Sequence, residues 1–418
     1  MQKRCLITFL CAAAAPALYA EPLNNTQFTG YFRSTLGLSA GSHMEAFQAP
    51  GAAAKYRLGN EADTVLEAAL DHRFTPGANA PANSYLQGVF MTSAYAGIGN
   101  AADLQFDDVA QAYVKMARYF GDFDLWAGRR YYQRKAVDIN DYFWLNTVQN
   151  AHIGAGLEDL SVGPGKFDLA VVNYEDAGVK STLDATQTGT LHSRLVDIRY
   201  RDIKLADGFR LNAWIGLAQR PEDKVLGFKA RSGQGAALWL DTNIGKSSNE
   251  LAVFSRQGIA IGGKPIREDS IGTGYDLKKA KVFEVHDAYS LDLDTYNLQF
   301  LVLHHTESTG IDGQKGDTIT WQSLGVRPSF YLSNLSSLAV ELGHDQVKNE
   351  LTDKNGSVDK ATLALNLLKE KNVGARPSLR LFVTKAKWSE DFKGLVASST
   401  YGDKTEGWSS GVQTEVWW

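Results

Sequence analysis

An alternation of apolar and polar residues with a period of two runs along this chain almost from end to end, and it restricts the fold more than any other feature. Neighbouring side chains on a β-strand point to opposite faces, so the pattern means strands with one dry face and one wet one. From Phe28, one face reads Phe28, Gly30, Phe32, Ser34, Leu36 and Leu38, and the other reads Gln27, Thr29, Tyr31, Arg33 and Thr35. Leu66, Ala68 and Leu70 oppose Val65, Glu67 and Asp71, and Leu211, Ala213, Ile215 and Leu217 oppose Arg210, Asn212, Trp214 and Gly216. The same split recurs where Leu338, Val340 and Leu342 oppose Ala339, Glu341 and Gly343, and where Leu379, Leu381 and Val383 oppose Arg380, Phe382 and Thr384. Tyr296, Leu298, Phe300 and Val302 oppose Asn297 and Gln299, but Leu301 and Leu303 blur the polar face there. The chain ends on Val412, Thr414, Val416 and Trp418 against Gln413, Glu415 and Trp417. A terminal aromatic preceded by alternating apolar residues looks like the assembly signal of an outer-membrane barrel.

Turn chemistry separates the segments. Asp207-Gly208 is a tight-hairpin dipeptide between residues 198–204 and 211–217, and longer polar stretches intervene at 306–317 and 348–359. Short turns alternating with long polar loops suit an all-β transmembrane antiparallel barrel. No run approaches the roughly 18 apolar residues of a membrane helix. At about 20 to 22 residues per strand plus connection, the chain predicts roughly 18 strands, a size that leaves an aqueous channel.

Residues 1–20 read as a secretory leader. Lys3 and Arg4 precede an apolar, Ala-rich stretch, and Tyr19-Ala20 offers a small residue for cleavage before Glu21. Leu10 stands before Cys11 where a lipid-attachment signal wants Gly or Ala, which disfavours a lipoprotein. Residues 21–418 are then one transmembrane β-barrel domain. Cys5 and Cys11 leave with the leader, so disulfides and thiolate metal sites are not expected. Losing two cations and no acid takes the charge from 43 − 47 = −4 to 41 − 47 = −6, which argues against nucleic acid as a partner.

Several blocks, in order along the chain, resemble the maltoporin family of carbohydrate-specific porins of Gram-negative outer membranes. They are GYFRS at 30–34, KYRLGNE at 55–61, LWAGRRYYQR at 125–134 with DYFW at 141–144, GAGLEDL at 154–160 and VGPGKFDLA at 162–170. LGVRP at 324–328, ELGHDQV at 341–347, AKW at 386–388 and EVWW at 415–418 carry the likeness to the end, and it is weak between about 175 and 310. The resemblance implies an 18-stranded barrel with a constriction loop folded into the pore, assembled as a homotrimer among outer-membrane lipid and lipopolysaccharide. It also implies passive diffusion of sugars or small oligosaccharides along an aromatic slide that faces a polar track. Rings suit the C–H faces of a pyranose, and charged groups exchange strong hydrogen bonds with its hydroxyls.

Matched position by position, Tyr31 and Trp417 fall on the slide, and strand parity turns both inward. Phe143 stands where the family has a constriction tyrosine. Arg33, Arg57, Glu67, Arg134 and Asp141 match the track. The departures are Val65 and Gly374 for slide aromatics, the lack of a tryptophan in 94–106, Ala110 and Ala136 for a track arginine and acid, and Ala46 and Ala62 for two first-loop cysteines. A shortened slide points to a smaller or different sugar. The alternatives are a general diffusion porin on the same scaffold and an exported glycan-binding β protein.

Signals for other chemistry fail. Gly258, Gly263 and Lys264 have phosphate-loop spacing, but Pro265 replaces the required Ser or Thr. His304 and His305 are adjacent and on a strand would face opposite ways. Asp292 and Asp294 could share a strand face as a glycosidase pair would, but nothing else in the sequence supports catalysis. Neither enzyme activity nor a cofactor or metal is expected.

Overall fold

A computed structural model describes residues 25–40, 42–97, 105–148, 152–267, 275–311 and 316–418. The expected leader and its two cysteines lie outside the described residues, as does the central part of 94–106. The first half of the wall comprises β1 (Thr26–Ser39), β2 (Asp63–Phe74), β3 (Tyr85–Gly97), β4 (Gln105–Ala117), β5 (Asp124–Arg129), β6 (Ile153–Val162), β7 (Gly165–Lys180), β8 (Thr188–Ala206) and β9 (Phe209–Arg220). The second half comprises β10 (Arg231–Ile244), β11 (Ser247–Gly258), β12 (Lys281–Asp292), β13 (Tyr296–Ser308), β14 (Thr318–Ser333), β15 (Ser336–Asn349), β16 (Lys354–Leu368), β17 (Ser378–Trp388) and β18 (Glu406–Trp417). Each strand pairs antiparallel with its neighbours in the chain, and β18 returns to β1, so eighteen strands close into one barrel. The seam runs from Tyr31↔Trp417 to Ser39↔Ser409. Trp418 extends it, exchanging backbone hydrogen bonds with Gly30 at 3.1 and 3.2 Å.

The alternation places the faces as the sequence requires. On β9, Ile215 is 47 % exposed on the outer wall, and its neighbour Trp214 is 1 % exposed inside. Leu36, Leu238, Leu342, Leu381 and Val383 form part of the exposed outer band. Such a continuous apolar girdle suits hydrocarbon as its solvent. The inner face is polar except where loops dry it. Leu301 and Leu303, the residues that blur the pattern of β13, are buried in a cluster with Trp144, Trp214, Trp239, Phe254 and Trp321.

Connections differ between the two ends. At one end β6–β7, β8–β9, β10–β11 and β14–β15 are joined by two-residue turns. Asp207-Gly208 is one of these, with Gly208 at φ 80°, the left-handed geometry such a turn needs. This is the periplasmic end by the usual rule, and both termini of the barrel lie there. The other end carries the long connections 40–62, 130–152 and 259–280. Residues 348–359, expected as a loop, are mostly strand, with only 350–353 turning between β15 and β16. Polar side chains there tolerate water on both faces while the ladder continues, so polarity marks the end of the apolar band and not of the strand. Asp294 lies in the turn after β12, paired with Lys246, and Asp292 bonds Tyr331, so the two acids form no pair. His304 bonds Gln322 on β14, and His305 turns inward to Glu284.

Candidate functional site

Two long connections fold into the barrel and meet. The first, 40–62, runs along the inner wall against β18, β17 and β16, and its Tyr56 lies flat on β14 and β15. Gly325 and Gly343 are paired neighbours there, and a Cβ on either would meet the Tyr56 ring at about 2 Å (1.9 and 2.0 Å). Only glycine leaves room for that ring. Tyr56 also bonds Ser323 Oγ at 2.7 Å, and the Leu58 carbonyl accepts from Lys360 Nζ at 2.7 Å. Glu341 accepts from the Leu58 amide at 3.1 Å. Nothing local in 44–62 dictates this path; it is fixed by anchors nearly 300 residues away in sequence.

The second, 130–152, carries a short ribbon of Lys135–Val137 with Tyr142–Leu145 and a 3-10 turn at Asp138–Asn140 between them. One edge is buried against the wall. Tyr142 donates to Glu284 at 2.5 Å, and Trp144 stacks on Phe254 at 6.0 Å, meets Trp239 edge-on and donates to Glu250 at 2.8 Å. Glu284 is held in turn by His286 at 2.9 Å and His305 at 2.7 Å. The other edge faces the lumen with Arg134, Ala136, Asp138, Asp141 and Phe143 exposed. Of the residues matched to the family, Arg134 and Phe143 come together here: the guanidinium lies 5.2 Å from the Phe143 ring and 3.9 Å from Tyr131. Glu67 on β2 shares this corner, influenced by Arg134 and Tyr131. Ala110 packs into an apolar group with Ala69 and Met91, against which Tyr131 lies.

Where the two connections meet, an ion network ties them to the wall. Arg33 pairs with Glu61 at 2.6 Å, Asp63 at 2.8 Å and Asp141 at 3.6 Å. Arg57 pairs with Glu61 at 2.9 Å, Glu415 at 2.9 Å and Asp138 at 3.2 Å. Arg327 joins Glu341 and reaches the Ile139 carbonyl at 2.8 Å. Arg33 and Arg57, matched to the polar track, are thus buried in pairs, and the acids Asp138 and Asp141 stand open to the lumen. Burial alone would push the Glu61 carboxyl up; Arg57 and Arg33 outweigh it and hold it below the ordinary carboxylate range. Removing one partner of such a buried pair costs about 3–5 kcal/mol, so the network frames the opening rigidly.

Tyr31 and Trp417 face each other across the seam, stacked with centroids 6.5 Å apart and planes at 23°. Tyr31 donates to Glu415 at 3.0 Å, which ties the rings to the network. Arg376 lies over Trp417 at 4.4 Å. Gly374 stands beside them, its Cβ direction 4.0 Å from Trp417. Val65 pairs with both Arg33 and Tyr95. Tyr95 therefore shares the inward face of Val65, and it is 60 % exposed. The sequence reading missed this ring. Counting register from Val65 across the next hairpin could have found it.

A closed barrel with apolar outer wall, inward-folded loops and a charged constriction defines a porin, an outer-membrane channel for small solutes. The signature of the LamB porin family matches residues 26–418, and the chain belongs to that family. Among solved structures it is similar to Pseudomonas aeruginosa OpdK with vanillate, at 12 % identity and a TM-score of 0.50, over 94 % of this chain and 99 % of that one. It also resembles Salmonella typhi OmpF in complex with daunomycin, at 9 % identity and a TM-score of 0.49, over 93 % and 97 % of the two chains. At such identities the likeness to OpdK speaks for the fold alone.

Proposed function

We propose that this porin is a sugar-selective channel, in which Tyr95, Tyr31 and Trp417 form a short slide opposite a polar edge of Arg134, Asp138 and Asp141. The observation that carries the reading is the stacked Tyr31–Trp417 pair joined through Glu415 to the constriction network. Rings recognise the C–H faces of a sugar without fixed hydrogen-bond demands, and the charged edge exchanges hydrogen bonds with its hydroxyls. Serial weak contacts allow release, as conduction requires. Export through a leader cut after Ala20 and assembly as a homotrimer in lipopolysaccharide-containing membrane belong to the same reading.

A general diffusion porin is the second reading, favoured by the saturation of Arg33 and Arg57 by acids. Planar-bilayer conductance with added maltose-series sugars, sucrose or β-glucosides separates the two. The sugar-selective channel shows concentration-dependent, weak current block. A current indifferent to all of these sugars overturns it.

A further inference from the structure

The constriction is not evenly charged. Arg33 sits among three acids, Glu61, Asp63 and Asp141. Beside it, at the residue paired with Arg33 across the seam, the ratio reverses, because Arg57, Arg376 and Arg380 converge on the single carboxylate of Glu415 at 2.9, 2.5 and 2.7 Å. Arg57 has two further acids, but Arg376 and Arg380 have Glu415 alone among the described residues. The nine-residue connection 369–377, long for the periplasmic end, brings Arg376 inward, and its Val373 amide is fixed to Asp292 at 2.9 Å. A polar recess opens beside it, lined by Arg327, Arg376, Arg380, Asn366 and Asn372 and by one acid, Asp138, which Arg57 and Arg327 already hold.

Two buried atoms in this recess are unpartnered and of opposite kind. Arg376 has a side chain 7 % exposed and an Nε donor with no acceptor; Asn366 is 6 % exposed and has an Oδ1 acceptor with no donor. A simple anion would satisfy the donor only, and a neutral sugar would leave Arg376 and Arg380 sharing one carboxylate. A hydroxylated anion satisfies both. Burial, followed by the adjoining Arg380 charge, draws Arg376 down to about 10, although Glu415 and Asp138 oppose this. The Trp417 ring against Arg376 is 45 % exposed and offers an apolar face at the same place.

We infer that the recess formed by Arg376, Arg380 and Asn366 beside Trp417 is a subsite for an acidic sugar, one that carries a carboxylate or phosphate on its ring. The inference rests on the sugar-channel reading and narrows it. The anionic group lies between Arg376 and Arg380, a hydroxyl donates to Asn366, and the ring lies against Trp417.

The test uses the full barrel in a planar bilayer at about 0.1 M salt, where charge interactions act over about 10 Å. Trigalacturonate should block current at about tenfold lower concentration than maltotriose, and the ratio should fall toward one at about 1 M salt. Glucuronate and glucose 6-phosphate against glucose tell which anionic group is preferred. Arg380→Gln should abolish the acid-over-neutral ratio, and Arg380→Lys should keep most of it. If maltotriose blocks as well as trigalacturonate, the acidic subsite is wrong and the sugar channel stands. Block by inorganic phosphate as strong as by trigalacturonate overturns it too, in favour of plain anion selectivity. Silence from every sugar removes both readings. Should Arg380→Gln not assemble, the unaltered channel's ratio and its salt dependence still decide.

Discussion

Gly374→Trp should lengthen the slide. Gly374 is in the periplasmic connection 369–377, outside the left-handed region, so a side chain meets no backbone penalty. The Cβ direction points into space bounded by Asn372 Oδ1 at 3.3 Å and Trp417 Cζ2 at 4.0 Å. Asn372 must yield by a few tenths of an ångström; the rest is ordinary contact. A ring there adjoins the exposed part of Trp417 and extends the pair it forms with Tyr31. An aromatic contact contributes about 0.5–1.5 kcal/mol beyond area burial, or roughly two- to thirteenfold in affinity. Current-block titrations with maltotriose to maltohexaose should show that gain, larger for the longer sugars because they span more rings. Open-channel conductance should fall only slightly. Unchanged or weaker block from a channel of near-normal conductance would refute the slide, since the added ring would then adjoin nothing that sugars touch.

Trp417→Ala works in the opposite sense: block by any sugar should weaken severalfold, with conductance nearly unchanged in the same bilayer records. Trp144→Ala removes the buried anchor of the constriction loop among Trp239, Phe254 and Glu250. Truncating a buried tryptophan costs about 3–5 kcal/mol, so single-channel records should show higher conductance and more open-state noise. The pH response follows from Glu61. Its carboxyl is held below the ordinary 4.5, so the pinning of the first connection is complete above that value and is lost as pH falls below it toward the depressed one. Open-state noise should stay flat from pH 7 to about 5 and rise only below about 4.5. Glu61→Gln should be noisy throughout and show no such step.

The wall was legible in the sequence because a strand with hydrocarbon on one side and water on the other has to alternate. Ile215 beside Trp214 is the rule in miniature. The same rule fails at Leu301 and Leu303, where the lumen face is dry because the 130–152 connection covers it. No local pattern announces that cover. The site was legible only in part. Tyr31 and Trp417 follow from parity in strands that run without interruption. Tyr95 was hidden because its strand carries apolar Val89 and Met91 on the same inner face, which erases the alternation, and only its in-register pairing with Val65 assigns the side. The burial of Arg33 and Arg57 could not be read either. Glu61 is only four residues from Arg57, but Asp138 and Glu415 come from distant stretches, and only the folded path of the two inward connections brings them together.

The seam holds a consequence for how the molecule is made. Its first strand is hydrogen-bonded to its final tryptophan, nearly 390 residues later, and neither edge has another partner on that side. The cylinder therefore cannot shut until β18 has been made and has reached β1. Until then two long strand edges and a girdle's worth of greasy side chains have to be kept from each other and from strangers. Every molecule that reaches the membrane has passed through an interval in which its own two open edges were its most dangerous surfaces.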